Sequence, residues 1–403
     1  MQGWIVVLTA VLYLALLFAV ATYGDRAAQR GAWLKGRPLI YALGLCVYCT
    51  SWTFFGSVGL ASSSGLDFLT IYIGAGLMLA ACFPLVIRVA RLAKEQNTTS
   101  IADFIAARYG KSPVVAAVVT VIAIIGVIPY IALQLKAISS SVATMAGYLS
   151  NQEYIATAPV IADLSLIVAV ALALFAILFG TRHADATEHQ HGMMLAIAAE
   201  SIVKILAFTV AGIFVTYTMF DGFGDMWAKA EATQVITPLF TRTLDGGRWM
   251  TMCYLSFVCV LLLPRQFHVA IVENNSAREI RLAAWLFPLY LIGINVFVVP
   301  IAIAGLLTFG AGVVDSDMFL LALPMLANAD LVALLVFIGG LSAATAMVIV
   351  ASVALAIMVC NDIVVPLMLR RRGVHIAEGG DIPQLILNIR RLVILSVLLL
   401  GFA

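Results

Sequence analysis

The chain has 403 residues, of which 63% are hydrophobic and 11% are charged, and its mean hydropathy is +1.07. Soluble domains carry roughly 25% charged residues, so this composition excludes a soluble protein and predicts an integral membrane protein. The formal net charge of +2 is too small to indicate a nucleic-acid partner.

Apolar segments long enough to cross a bilayer recur along the whole chain. A spanning helix needs about 20 residues, and nine segments are predicted to span, at 4–23, 39–60, 68–90, 114–147, 160–180, 193–220, 249–272, 282–309 and 331–366. The first has neither a basic flank nor a cleavage site, so we interpret it as a span and not as a removable signal. A tenth segment, Leu392 to Ala403, is too short to cross, and we expect the fold to be truncated there.

Lysine and arginine residues mark the short cytoplasmic loops of membrane proteins. Most of them follow the odd-numbered segments, including Arg265 after the seventh and Arg390 and Arg391 after the ninth. The loops on the other side are mainly acidic. This alternation predicts a multi-pass protein with its N-terminus outside.

The second segment is interrupted by small and polar residues. It contains GLCVYCTSWTFFGSVG at 44–59, where Thr50, Ser51 and three glycines break an apolar run. Such residues are tolerated in mid-membrane where the backbone faces protein or a water-filled cavity, and broken helices hold the solute sites of secondary transporters. The alternative is a continuous helix whose small residues allow close packing.

A second interruption lies five segments later, at Pro264 in the seventh segment. Because five is odd, a second five-helix unit would be inverted relative to the first, as in many secondary transporters. We therefore predict a single polytopic domain, 1–403, with a peripheral first helix and loop (1–38) and two repeats (39–220 and 249–403). A kinked helix without a transport role is the alternative.

Several strings resemble the sodium/solute symporter family. They are the broken stretch 44–59, TTSIADFIAARYG at 98–110, IPYIALQLKA at 128–137, LLLPRQFHVAIVEN at 261–274 and MVCNDIVVPL at 358–367. Two further strings resemble one branch, the transporter-like membrane domain of CbrA/CrbS-type bacterial sensor histidine kinases: TRHADATEHQHGMMLAIAAESIVK at 181–204 and WLFPLYLIGINVFVVPIA at 285–302. The resemblance implies an all-α, LeuT-type five-plus-five inverted repeat with one extra N-terminal helix, in a bacterial inner membrane.

The resemblance also implies an ion site. In the family a sodium ion lies between the broken helix and the ninth segment. The corresponding carbonyl donors are Cys46, Cys49 and Val348, and the two hydroxyl positions are Ala351 and Ser352. Since Ala351 has no hydroxyl, we expect sodium coupling to be weakened.

The sixth segment carries two ionisable residues, Glu200 and Lys204, four positions apart on one helix face. That spacing suits an ion pair, and charges at this depth are candidates for function. Some proton-coupled carriers of this architecture place a lysine of the same helix at the vacated sodium position. Our hypothesis is that Lys204, tuned by Glu200, replaces the cation, and the alternative is a structural pair.

A solute pocket is implied in the same way. Thr50, Ser51, Trp52 and Gly56 on the broken helix and Tyr130 and Gln134 on the fourth segment are the predicted substrate-binding residues. Cys259 and Leu263 stand where proline carriers have an aromatic pair, which argues against proline.

The predicted function is therefore that of a transporter-like sensory domain. It would bind and translocate an amino acid or a short carboxylate, coupled to H⁺ in preference to Na⁺, and signal to a C-terminal histidine kinase beyond Ala403. The alternative is a stand-alone symporter. We predict no enzymatic activity, no metal and no cofactor for this chain itself, and the lipid bilayer and the nutrient as its partners.

Overall fold

The computed structural model describes residues 3–31, 37–150, 166, 169–178, 190–233, 236–310, 312–372 and 382–402, and these ranges contain helices and no strand. In chain order the helices are α1 (Gly3–Gln29), α2 (Pro38–Leu45), α3 (Ser57–Ser64), α4 (Leu69–Glu95), α5 (Ile101–Arg108), α6 (Pro113–Ser150), α7 (Ala169–Leu178), α8 (His191–Phe214), α9 (Phe223–Ala232), α10 (Thr237–Thr241), α11 (Gly246–Leu262), α12 (Pro264–Phe267), α13 (Ala277–Asn295), α14 (Val298–Phe309), α15 (Phe319–Leu326), α16 (Asp330–Met358), α17 (Val365–Arg372) and α18 (Ile382–Phe402).

The described helices confirm a polytopic membrane protein. Seven are long and apolar enough to cross a bilayer, and a bent pair makes an eighth crossing. One of the seven, Trp52–Glu95, has 44 residues, about twice what one crossing needs. It divides at Gly65, whose φ of +61° ends α3. Of the predicted segment 160–180, only Leu166 and α7 lie within the described residues.

Helix α16 forms the centre of the bundle. In its most apolar window 94% of the residues are buried, compared with 22% for α1. Gly339 and Gly340 let the rings of Phe54 and Phe55 approach the helix closely, as small residues do in membrane bundles. Helices α6, α8 and α18 pack around α16, whereas α1 packs chiefly against α8.

The last helix begins ten residues earlier than predicted. It starts at Ile382 and its 21 residues are enough to cross, so the prediction of a segment too short to span was wrong. Arg390 and Arg391 lie within this helix and not in a loop. Arg390 is buried, and its guanidinium lies 3.5 Å from the Asn361 side chain. Hydropathy alone placed these two arginines in a loop outside the membrane. The polar partner of Arg390 makes its charge tolerable within the helix.

Both predicted interruptions are present. After α2 the chain makes a short 3₁₀ turn, Cys46–Tyr48, and becomes helical again from Ser51, through a π-helical turn at Trp52–Gly56 that leads into α3. Helices α11 and α12 meet at an angle of 52°. Pro264 opens α12, where its missing N–H would have had no helical acceptor.

Candidate functional site

The break in the second span interrupts the α-helical pairing of its backbone carbonyls, and the Cys46 carbonyl accepts a 3₁₀-type hydrogen bond from the Cys49 N–H (3.0 Å) instead. Cys49 is extended, with φ −78° and ψ 98°, so the hydrogen-bond ladder of α2 does not continue into α3. All residues from Cys46 to Ser51 are buried. In a membrane such carbonyls need a donor from elsewhere in the protein or from a ligand.

Lys204 of α8 supplies that donor. Its side chain is fully buried, and its Nζ donates hydrogen bonds to the carbonyl oxygens of Cys49 (2.8 Å) and Cys46 (3.2 Å). These are two of the carbonyls that the resemblance assigns to a sodium ion. The Lys204 side chain therefore joins α8 to the helix break.

Glu200, one turn earlier on α8, faces α16. Its Oε1 accepts a short hydrogen bond from the Thr345 hydroxyl, and its backbone carbonyl accepts one from Ser342 Oγ (2.9 Å). Glu200 and Lys204 both lie within the described residues, and no ion pair joins their side chains. The two side chains instead bind different elements. Sequence analysis did not single out Ser342 or Thr345, whose only signal was hydroxyl groups three residues apart in an apolar helix.

The other predicted ion-site residues lie on α16 and are buried. They are Val348, Ala351 and Ser352. The Ser352 hydroxyl has no hydrogen-bond partner within the described part of the chain. Lys204 donates its hydrogen bonds to the carbonyls of Cys46 and Cys49 and not to this hydroxyl.

The predicted substrate residues form two hydrogen-bonded links between the helix break and α6. Thr50 and Tyr130 share a hydrogen bond of 2.9 Å between their hydroxyl oxygens. Gln134 Oε1 accepts hydrogen bonds from the backbone N–H (3.0 Å) and the hydroxyl (2.7 Å) of Ser51. Ser51 and Gln134 are both buried and hold the break in place, while Tyr130 also faces the cavity described below.

Trp52 and Gly56 form one packing unit on the π-helical turn. A Cβ placed on Gly56 would lie 3.0 Å from Cδ1 of the Trp52 indole, so the glycine lets the ring lie against the backbone. Trp52 lines the cavity and Gly56 does not, so Gly56 acts on the cavity only through the indole.

The two broken spans, together with α4 and α6, surround a cavity of about 630 Å³. It is lined by Tyr48, Trp52, Thr53, Ile71, Ile101, Ile105, Val119, Ile122, Ala123, Gly126, Val127, Tyr130, Met252, Leu255, Ser256, Cys259, Leu262, Leu263, Pro264 and Arg265. Its volume falls in the range of small-molecule sites, and its lining is mostly apolar. Cys259 and Leu263, predicted to replace an aromatic pair, are both in the wall.

Arg265 is not the loop residue that its charge suggested. It lies in α12 directly after the second break, is 7% exposed, and its guanidinium carbon is 4.8 Å from the centre of the Tyr130 ring. The cation–π contact joins the second break to α6. Its place near the end of an apolar segment was the reason for the wrong assignment.

No protein-family model and no curated protein matches the sequence. Among solved structures, the chain is similar to that of a Na⁺-coupled sialic acid symporter in its substrate-bound outward-open state, with a TM-score of 0.69 and 14% sequence identity. The match covers 99% of this chain and 81% of the symporter chain. The chain has the LeuT-type fold.

In a LeuT-type fold the two broken spans face each other near the middle of the membrane. Here both contribute to one cavity: Tyr48 and Trp52 come from the first, and Leu263, Pro264 and Arg265 come from the second. Lys204 contacts the first break from α8 and does not itself line the cavity. Among the described residues, no group of three or more His, Cys, Asp or Glu side chains is placed to hold a metal ion.

Proposed function

We propose that this chain is the membrane domain of a secondary transporter of the sodium/solute symporter type, which carries a small organic nutrient across the bilayer. The observation that carries the proposal is the Lys204 ammonium on the carbonyls of Cys46 and Cys49. A charge at this depth is costly and marks coupling sites in transporters. The cavity between two broken spans supports the same conclusion.

The coupling ion in this proposal is a proton. The Lys204 ammonium already occupies two carbonyl oxygens with its N–H groups, and Ala351 offers no hydroxyl for a sodium ion. Lysine can release its charge as a proton, whereas a bound sodium ion must leave as a whole. Loss of that proton would weaken the hydrogen bonds between α8 and the first break. Glu200, held by Thr345, is the nearby carboxyl group in this scheme.

Uptake into proteoliposomes tests this proposal, using a panel of radiolabelled amino acids and short carboxylates. We expect an inward proton gradient, and not a sodium gradient, to drive uptake, and a protonophore to abolish it. Lys204→Gln should remove coupling, because the amide can donate to the carbonyls but carries no proton to release. Ser352→Ala is the control and should leave uptake unchanged. Uptake that needs sodium and ignores the protonophore would overturn proton coupling.

A signalling role is a further part of the proposal and rests on the strings at 181–204 and 285–302, which resemble sensor kinase membrane domains. We propose that solute binding is reported to a histidine kinase module encoded after residue 403, in a bacterial inner membrane protein. Sequencing the gene downstream of codon 403 tests the module. Autophosphorylation of the full-length protein in nanodiscs, with and without the solutes above, tests the coupling. A stop codon without kinase sequence leaves the stand-alone symporter.

A further inference from the structure

Arg265 is a buried cation without an anionic partner. Among the residues that the structure describes, its Nε has no hydrogen-bond partner and no carboxylate lies within ion-pair distance of its guanidinium. The Tyr130 ring, 4.8 Å away, offsets part of the cost of burying the charge but satisfies none of the N–H donors. An unpaired guanidinium in this position is unfavourable unless an anion joins it.

The rest of the cavity wall cannot supply that anion. No Asp or Glu is among the lining residues. Three hydroxyls of the wall are already bonded. The Tyr48 hydroxyl donates to the Ile71 carbonyl (3.1 Å), and the Ser256 hydroxyl donates to the Thr70 carbonyl (2.9 Å). The Tyr130 hydroxyl is paired with Thr50. The guanidinium is therefore the strongest polar group that the wall offers to a ligand.

We propose that the cavity binds an organic monocarboxylate with an apolar body, and that the Arg265 guanidinium binds its carboxylate group. This rests on the proposed function, which makes the cavity the solute site. A planar fork of N–H donors matches a carboxylate, and the isoleucine, valine and leucine side chains of the wall suit an apolar body.

The same wall disfavours the other common solute classes. A zwitterionic amino acid brings an ammonium group, and the lining of the cavity has no carboxylate to pair with it. Two basic residues, Arg265 and Lys204, lie near the cavity and would repel it. A sugar needs many hydrogen bonds, and the hydroxyls of Tyr48, Tyr130 and Ser256 are already engaged. Leaving its hydroxyl groups unpaired in an apolar site would weaken its binding.

Thermal unfolding of the purified protein in nanodiscs tests the solute class. The probes are butyrate, hexanoate and benzoate, each compared with its neutral amide, together with alanine and glucose. A ligand that binds the folded state raises the melting temperature. We expect the carboxylates to raise it and their amides, alanine and glucose not to. Equal effects of acid and amide, or a larger effect of alanine or glucose, would overturn the proposal.

Substitution at Arg265 tests the residue. Arg265→Gln should weaken hexanoate binding about 10- to 100-fold, the loss expected for charge-assisted hydrogen bonds. Arg248→Gln is the control: it removes an exposed arginine that lies 3.9 Å from Asp67 and does not line the cavity, and it should leave binding unchanged. Unaltered hexanoate affinity in Arg265→Gln would refute the assignment. If that variant does not fold, the comparison of acid with amide on the wild type still decides the solute class.

This experiment separates the inference from the function beneath it. Carboxylate binding without uptake into proteoliposomes would leave the inference standing and remove the transporter. Uptake of an amino acid or a sugar, without carboxylate binding, would refute the inference and leave the transporter function standing.

Discussion

At the scale of single residues, the break in the second span is held by polar contacts and not by packing alone. Gln134 reaches across from α6 and accepts both polar hydrogens of Ser51 with one oxygen. Lys204 does the converse from α8, donating to two carbonyls of the same break. Donor and acceptor groups that a continuous helix would pair internally are thus satisfied from two neighbouring helices.

Replacing Gln134 tests this account. Gln134→Leu leaves the backbone N–H and the hydroxyl of Ser51 buried without an acceptor, so we expect the protein to lose about 1–3 kcal/mol of unfolding free energy. The measurement is chemical unfolding in detergent. Gln384→Leu makes the same chemical change at an exposed position and should have little effect. Equal stability of both variants would show that the break does not depend on Gln134.

Some site residues could be predicted from the sequence and others could not. Glu200 and Lys204 stood out because charges are rare in apolar helices. Ser342 and Thr345 did not stand out. The rotation of α16 about its axis decides which of its hydroxyls face α8, and an all-apolar sequence has no hydrophobic periodicity from which that rotation could be predicted. Arg265 was misplaced because a cation near the end of a span normally marks a loop.

At the scale of elements, the π-helical turn Trp52–Gly56 packs directly against the backbone of α16. A Cβ added to Gly340 would lie 2.3 Å from the ring of Phe55, which is itself buried. We expect Gly340→Ala to cost about 1–3 kcal/mol, because the ring has no free space to move into. Gly126→Ala is the matched control: no atom lies within 4 Å of its new Cβ, and alanine is the better helix former. Thermal unfolding of the two variants measures the difference.

A charged network joins α2 to α13 at one end of the bundle. Glu279 accepts hydrogen bonds from the backbone N–H groups of Arg37 (2.8 Å) and Asn275 (2.7 Å). Burial lowers the pKa of Arg37, and the charges of Glu273 and Glu279 act in the opposite direction. The network connects the start of one broken span to the helix that follows the other.

Removing one carboxylate from this network should be costly. Glu279→Ala leaves the buried N–H of Arg37 and the N–H of Asn275 without an acceptor, and it leaves Arg37 with less charge compensation. We therefore expect a loss of at least about 2 kcal/mol of unfolding free energy. Asp225→Asn is the control on the surface. Its pKa is lowered by the hydrogen bond from Lys229, yet exposed pairs contribute little to stability. Comparable losses for the two variants in denaturant titrations would contradict this account.

At the scale of the whole molecule, most of the architecture could be predicted because bilayer thickness fixes the length of a span. Most of the spans, both interruptions and the LeuT-type fold followed from hydropathy, from proline and polar residues, and from the resemblance. The start of α18 did not, because Arg390 and Arg391 lower the local hydropathy while Asn361 stabilises one of them from another helix.

The orientation in the membrane remains a prediction that single cysteines can test. With the N-terminus outside, Glu95→Cys at the end of α4 faces the cytoplasm and Thr233→Cys after α9 faces outward, and both positions are exposed. A membrane-impermeant maleimide applied to intact cells should label the second and not the first. The parent protein reports background labelling of the native cysteines. The reverse pattern would invert the topology and with it the loop assignment of the cations.

The contact between Lys204 and the first break has a practical consequence for biochemists who handle this protein. Because the positive charge there is covalently part of α8, dialysis cannot wash it out and no choice of counter-salt can replace it. Samples prepared in potassium, choline or lithium buffers should therefore keep the same local packing, as judged by protease digestion patterns. Under the proposed proton coupling, we expect acidity, and not salt, to be the variable that a purification buffer has to control.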